Sequence, residues 1–110
     1  MNYQPDRWLI IKIGDIHKLF SVWMGGYLSG DSWRVNSGIT KIEFKDDFYS
    51  VCGHSGSVYK CHKNYYGTTG YGGSVLHDVV EKSKDLGVEV KILGLSEFED
   101  WFKNYHICKR

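Results

Sequence analysis

Residues 39–62 read ITKIEFKDDFYSVCGHSGSVYKCH, and the alternation inside this stretch decides the fold class. Three runs, 39–45, 48–53 and 57–62, are rich in β-branched and aromatic residues and are bounded by turn formers. If Asp46-Asp47 is a two-residue loop, Phe44 lies opposite Tyr49 and Ile42 opposite Val51. If His54-Ser55-Gly56 is a three-residue loop with Gly56 left-handed, Val51 lies opposite Tyr59 and Tyr49 opposite Cys61. Both registers gather Ile42, Phe44, Tyr49, Val51, Tyr59 and Cys61 on one face. The other face collects Lys41, Glu43, Lys45, Ser50, Cys52, Lys60 and His62. A two-residue Ser55-Gly56 loop would destroy that agreement, because a slip of one residue turns every side chain over. The stretch reads as an antiparallel meander with one buried face.

On the N-terminal side, 7–13 (RWLIIKI) and 16–23 (IHKLFSVW) read as strands joined by a Gly14-Asp15 turn. Leu9, Ile11 and Ile13 then share a face with Ile16, Phe20 and Val22, and Trp8, Ile10, Leu19 and Trp23 share the other. Both faces are apolar, so the hairpin is predicted to be central or covered on both sides. Residues 33–37 read as extended, with Trp33 and Val35 pointing one way and Arg34 and Asn36 the other.

On the C-terminal side, 63–73 (KNYYGTTGYGG) reads as a surface loop. Ser74 can cap a helix with apolar positions Val75, Leu76, Val79, Val80 and Leu86, and Gly87 suits its end. Residues 88–93 alternate as a strand. Ser96 and Glu99 form a capping box, and Phe98, Trp101, Phe102 and Tyr105 make one face of a second helix. The order of elements predicts a single α+β domain over 1–110. Its antiparallel sheet would have five to six strands, the N-terminal hairpin plus the meander, with two helices packed on one side.

Composition narrows the function classes. A chain of 110 residues that is 42% hydrophobic can build one core, and its single proline argues against disorder. A formal charge of +1 supplies no field for a polyanion, so extended nucleic acid is not an expected partner. No run reaches transmembrane length, and the apolar run after Asp6 is broken by Lys12 before it resembles a leader. No membrane partner and a cytoplasmic location are the expectations. Three cysteines, an odd number, provide no clean disulfide framework.

Catalytic and metal chemistry find little support. Cys52, His54, Cys61 and His62 are ligand types that zinc accepts, but Cys61 and His62 are neighbours on a strand and point to opposite faces. Neither a metal nor a cofactor is expected. The chain has no nucleophile elbow and no Walker loop. The glycine-rich run 67–73 lacks the lysine that a phosphate loop requires. Asp46-Asp47 is explained by turn chemistry, and Glu97, Glu99 and Asp100 by the helix dipole.

Recognition chemistry is better represented. Residues 24–38 (MGGYLSGDSWRVNSG) mix flexible backbone with the side-chain types that anchor interfaces. The candidate binding set is Tyr27, Asp31, Ser32, Trp33, Arg34 and Asn36 from this stretch, with Lys60, His62, Tyr65, Tyr66 and Tyr71 from later segments. Such a set could anchor a protein interface or stack on a nucleotide base.

The runs GGYLSGDSWRVNSGI and SGSVYKCHKNYYG resemble a group of short proteins encoded by tailed bacteriophages. The resemblance covers roughly half of the chain and carries over no catalytic residue. It implies a small accessory protein that binds and blocks a host protein in the host cytoplasm, often a component of antiviral defence. The expected function is therefore non-enzymatic binding of a host protein. The alternative is a nucleotide-binding protein that sequesters a small anionic nucleotide signal, and the third reading is a small nuclease or nucleotide hydrolase. A homo-oligomer is left open.

Overall fold

The meander forms with the register expected. The computed structural model describes residues 2–25 and 32–108, with side chains as far as residue 105. Strands β5 (Ile39–Lys45), β6 (Phe48–Gly53) and β7 (Val58–His62) are antiparallel neighbours. Phe44 pairs with Tyr49, Ile42 with Val51, Val51 with Tyr59, and Tyr49 with Cys61. Asp46 and Asp47 both take positive φ, 53° and 69°, as a tight two-residue hairpin turn demands. Gly56 has φ +86° and closes the second loop, where the Gly53 amide donates to the Ser57 carbonyl at 3.0 Å. A bulge between Ile39 and Lys41 marks the start of β5.

The remaining strands depart from the expected single sheet. A two-residue strand β1 (Asn2–Tyr3) joins the meander by pairing parallel with β7, giving the order β1-β7-β6-β5. Strands β2 (Arg7–Ile13) and β3 (Ile16–Trp23) form the expected hairpin inside a second sheet. That sheet has the order β4-β3-β2-β8, with β4 (Ser32–Val35) and β8 (Val90–Ile92) at its edges. The class is α+β, but the architecture is two four-stranded sheets, antiparallel apart from β1.

The two helices take opposite faces of the β2–β3 hairpin rather than one side of a common sheet. Leu9, Ile11, Phe20 and Val22 pack with Leu76, Val75 and Val80 of α1 (Gly70–Asp85). Trp8, Ile10 and Leu19 face the meander and pack with Ile42, Val51, Tyr59, Cys61 and Phe98. Phe98 belongs to α2 (Leu95–Cys108), whose Trp101, Phe102 and Tyr105 join the same core. The hairpin has two apolar faces because each lines a different core.

Trp8 is the hub of the meander-side core. Its ring lies 4.8 Å from Tyr66, 5.1 Å from Phe98 and 5.4 Å from Tyr49, mostly edge-on. Its indole N–H donates to the His62 carbonyl at 2.8 Å, which ties the hairpin sheet to the end of β7. Truncating a ring such as Phe98, almost fully buried, would cost about 3–5 kcal/mol.

Both helix starts differ from expectation. α1 begins at Gly70, with Thr69 rather than Ser74 as its cap, and the Thr69 Oγ1 accepts the Gly72 amide at 3.1 Å. The run 70–73 is therefore the first helical turn and not loop. Gly72 permits this because a Cβ there would sit 2.8 Å from Val22 Cγ2 and collide with Thr68 Oγ1. At the other end, Gly87 donates to Lys84 and Val88 to Ser83, the paired bonds of a glycine-terminated helix. Leu86, expected on the apolar face, is instead the exposed C-cap residue. In α2 the cap is formed by Gly94 and Glu97 rather than Ser96 and Glu99. The Gly94 amide donates to Glu97 Oε1 at 3.1 Å, and the Gly94 carbonyl receives the Phe98 amide at 2.8 Å. Among the described residues no helix is long and apolar enough to cross a membrane.

Candidate functional site

The sequence-predicted residues separate into two surface groups and two structural positions. Tyr27 and Asp31 lie outside the described residues. Ser32, Trp33 and Arg34 lie on the edge strand β4 and are exposed. Trp33 pairs with Val22 across the strands, and its ring stacks on Phe20 at 5.9 Å with the planes 24° apart. It remains 42% exposed. The first turn of α1 crosses over the same two residues, since Gly72 abuts Val22 and Phe20. Tyr71, which is 43% exposed, precedes Gly72 in that turn.

Arg34 points to the opposite face of the sheet. Its guanidinium lies 4.8 Å from the centre of the Tyr3 ring, and Tyr3 stacks on Tyr59, also at 4.8 Å. Burial pushes the Tyr59 phenol above its ordinary pKa, and the neighbouring Arg34 opposes that rise. Trp33 and Arg34 therefore serve different surfaces, as alternation along an extended strand requires.

Asn36 is structural. It is 5% exposed, and its Oδ1 accepts the Leu19 amide at 2.8 Å and the Gly38 amide at 3.3 Å. It pins the corner between β4 and β5 against β3. Tyr66, expected on an exposed loop, is also structural. Its hydroxyl donates to the Leu93 carbonyl at 2.7 Å and accepts the Ile10 amide at 3.1 Å. Burial raises its pKa far above the ordinary tyrosine value, against the partial opposing effect of the Ile10 amide.

Lys60, His62 and Tyr65 belong to the second surface group, at the end of β7 and in the 3-10 turn Lys63–Tyr65. Lys60 is exposed on the outer face of the meander, two residues from His62 on the same face. His62 Nδ1 accepts the Asn64 amide at 3.1 Å, so the neutral ring carries its proton on Nε2. Its ring stands at 90° to Phe48 at 5.0 Å and lies 4.7 Å from Tyr65. His62 and Tyr65 line a cleft of about 550 Å³ together with Gln4, Pro5, Asp6 and Phe48.

Four of those six lining residues were not singled out from the sequence. Phe48 had a signal: by the meander register it is an aromatic residue on the otherwise polar face. Gln4, Pro5 and Asp6 had none, because their place depends on β1 pairing with β7 more than fifty residues later.

The cysteines keep the expected parity. Cys61 is buried, and burial holds its thiol well above the ordinary pKa, hence protonated. Cys52 pairs with Val58 on the outer face. Among the described residues, no three His, Cys, Asp or Glu side chains converge on a point that could hold a metal ion.

Comparison with protein-family models, with curated proteins and with solved structures returned no match.

Proposed function

We propose that this domain acts by binding a protein partner rather than by catalysis, and that Trp33 on the β4 edge is its anchor. The observation that carries this reading is a large ring that is 42% exposed yet held in place by stacking on buried Phe20. A pre-positioned aromatic costs less conformational entropy on binding than a mobile one, which is why such rings act as anchors. β4 is also an edge strand, so its outer backbone groups are placed to pair with an extended segment of a partner. The start of α1, through Gly72, lies against the same Phe20 that supports Trp33. The bacteriophage resemblance supplies the setting: the partner is a host protein whose working surface is covered when the anchor seats.

The nucleotide reading is less well supported. In that reading Trp33 or a loop tyrosine stacks on a base while Arg34, Lys60 or His62 holds phosphate. Tyr65 does lie 4.7 Å from His62, but the cleft they line carries the Asp6 carboxylate and no lysine or arginine.

The test is affinity capture from host lysate with wild type and Trp33→Ala in parallel, both checked for the same thermal midpoint. Loss of a specific partner by a folded variant supports the reading. A folded variant that keeps every partner overturns it.

A further inference from the structure

The cleft beside His62 is a separate site, and its chemistry is distinct from that of the β4 edge. Its floor comes from cross-strand partners at the end of the meander, Phe48 on β6 and His62 on β7. Tyr65 in the 3-10 turn forms one wall, and Gln4, Pro5 and Asp6, leading from β1 into β2, form the other. Three aromatic rings and the proline ring therefore surround a space of about 550 Å³. That volume is within the usual range for small-ligand sites, roughly 300–1,000 Å³.

Asp6 is the one carboxylate among these lining residues, and no lysine or arginine lines the cleft. One oxygen of Asp6, Oδ2, accepts the Met24 amide at 2.7 Å, which fixes the carboxylate in place. Among the described residues Asp6 forms no ion pair, whereas Asp47 pairs with Lys63 at 3.0 Å and Glu97 with Lys91 at 2.8 Å. Of the nearby cations, Lys63 is paired with Asp47, and Arg7 stands over one face of the Tyr65 ring, 5.3 Å from its centre, without lining the cleft itself. An anion entering the cleft would meet the Asp6 carboxylate with no lining cation to offset it. A cation would meet a fixed carboxylate and aromatic rings, whose electron-rich faces attract positive charge.

From this we infer that the cleft binds an organic cation, an alkylammonium or guanidinium group, held by Asp6 and packed against Phe48, His62 and Tyr65. The same chemistry is offered by a lysine or arginine side chain of a protein partner and by a free amine. The inference uses no residue of β4, so it stands or falls independently of the Trp33 anchor.

Titration of the 15N-labelled chain, followed by NMR, tests it. The cationic probes are N-acetyl-lysine methylamide, its trimethylated form and N-acetyl-arginine methylamide. AMP and inorganic phosphate form the anionic arm. At least one cation should give saturable shifts at the amides of Gln4, Asp6, Phe48, His62 and Tyr65, unchanged in Trp33→Ala. Asp6→Asn keeps an oxygen for the Met24 amide and should weaken that binding about tenfold. Tyr65→Ala, at a half-exposed ring, should weaken it as well and serves if Asp6→Asn does not fold. Tighter binding of a lysine-bearing heptapeptide than of the capped lysine assigns the cation to a protein partner, and equal binding assigns it to free amines. The inference is overturned if no cation saturates by about 10 mM, a concentration at which even millimolar sites fill. It is also overturned if a folded Asp6→Asn binds as wild type does, or if only the anions saturate these amides.

Discussion

The phenol hydroxyl of Tyr66 is inserted between the amide of Ile10 and the carbonyl of Leu93, accepting from the first at 3.1 Å and donating to the second at 2.7 Å. The reverse bond of that pair, from the Leu93 amide to the Ile10 carbonyl, is direct at 3.0 Å. One rung of the β2–β8 ladder thus runs through a side chain. Tyr66→Phe removes that bridge and leaves the Ile10 amide and the Leu93 carbonyl without their phenol partner beside a buried core. The expected loss is about 1–3 kcal/mol, read as a lower urea midpoint with an unchanged slope. A midpoint equal to wild type would show that the rung closes without the hydroxyl.

Gly72 and Gly73 are neighbours in the first turn of α1 but should respond oppositely to alanine. A Cβ at Gly72 would meet Val22 Cγ2 at 2.8 Å and collide with Thr68 Oγ1, while the nearest atom at Gly73 is Thr68 Cγ2 at 3.9 Å. Gly72→Ala should therefore destabilise by about 1–3 kcal/mol despite alanine's better helix propensity. Gly73→Ala should stabilise by about 0.5–1 kcal/mol through that same propensity. Thermal melts of both variants check the sign as well as the size.

Asn36 tests the corner between β4 and β5. Asn36→Ala leaves the amides of Leu19 and Gly38 without their acceptor and should cost about 1–3 kcal/mol. Asn36→Asp keeps the accepting oxygen but replaces the amide nitrogen with a second oxygen and buries a charge, so it should be more damaging near pH 7 than near pH 4, where about half or more of the carboxyl is protonated. Urea denaturation at the two pH values separates the lost acceptor from the buried charge.

His17 gives the wild-type chain a pH response of its own. Its ring stacks on Trp101 at 4.7 Å, and burial, aided by the nearby Lys12 charge, lowers its pKa from the ordinary value of 6.5. A depressed histidine pKa means that protonation favours the unfolded chain. This contribution is fully present above the ordinary value and is lost as the pH falls toward and through the lowered one. His17→Gln should flatten the stability profile over that acid window and leave the neutral side unchanged.

Local pattern was enough for the meander. Its strands are joined by turns of two and three residues, so alternation in 39–62 determines which side chains face each other. The same logic works for the β2–β3 hairpin and for the apolar face of α2. It fails where a contact joins distant segments. β1 is too short to show alternation and exists because Asn2 and Tyr3 lie beside Val58 and Tyr59. The second sheet closes through Ile11 and Ile92, a pairing that no local signal announces. Glycines 70, 72 and 73 read as loop because helices disfavour glycine, yet Gly72 is required by how closely α1 approaches β3. In the candidate sites, Trp33 and Tyr71 were visible by residue type. Tyr66 had the same type and a different task, set by Ile10 and Leu93 far away in the chain. Asp6 was missed for the same reason.

The two-faced hairpin also has a consequence for synthesis. Residues 7–23 leave the ribosome before everything that later covers them: the meander and α2 on one face, α1 on the other. At roughly 5–20 residues per second, the stretch up to Tyr105 takes on the order of ten seconds to follow. During that interval the nascent chain carries a strand pair with both faces uncovered. The price of giving two cores one shared wall is a translation intermediate that is prone to capture by chaperones or by its neighbours on a polysome.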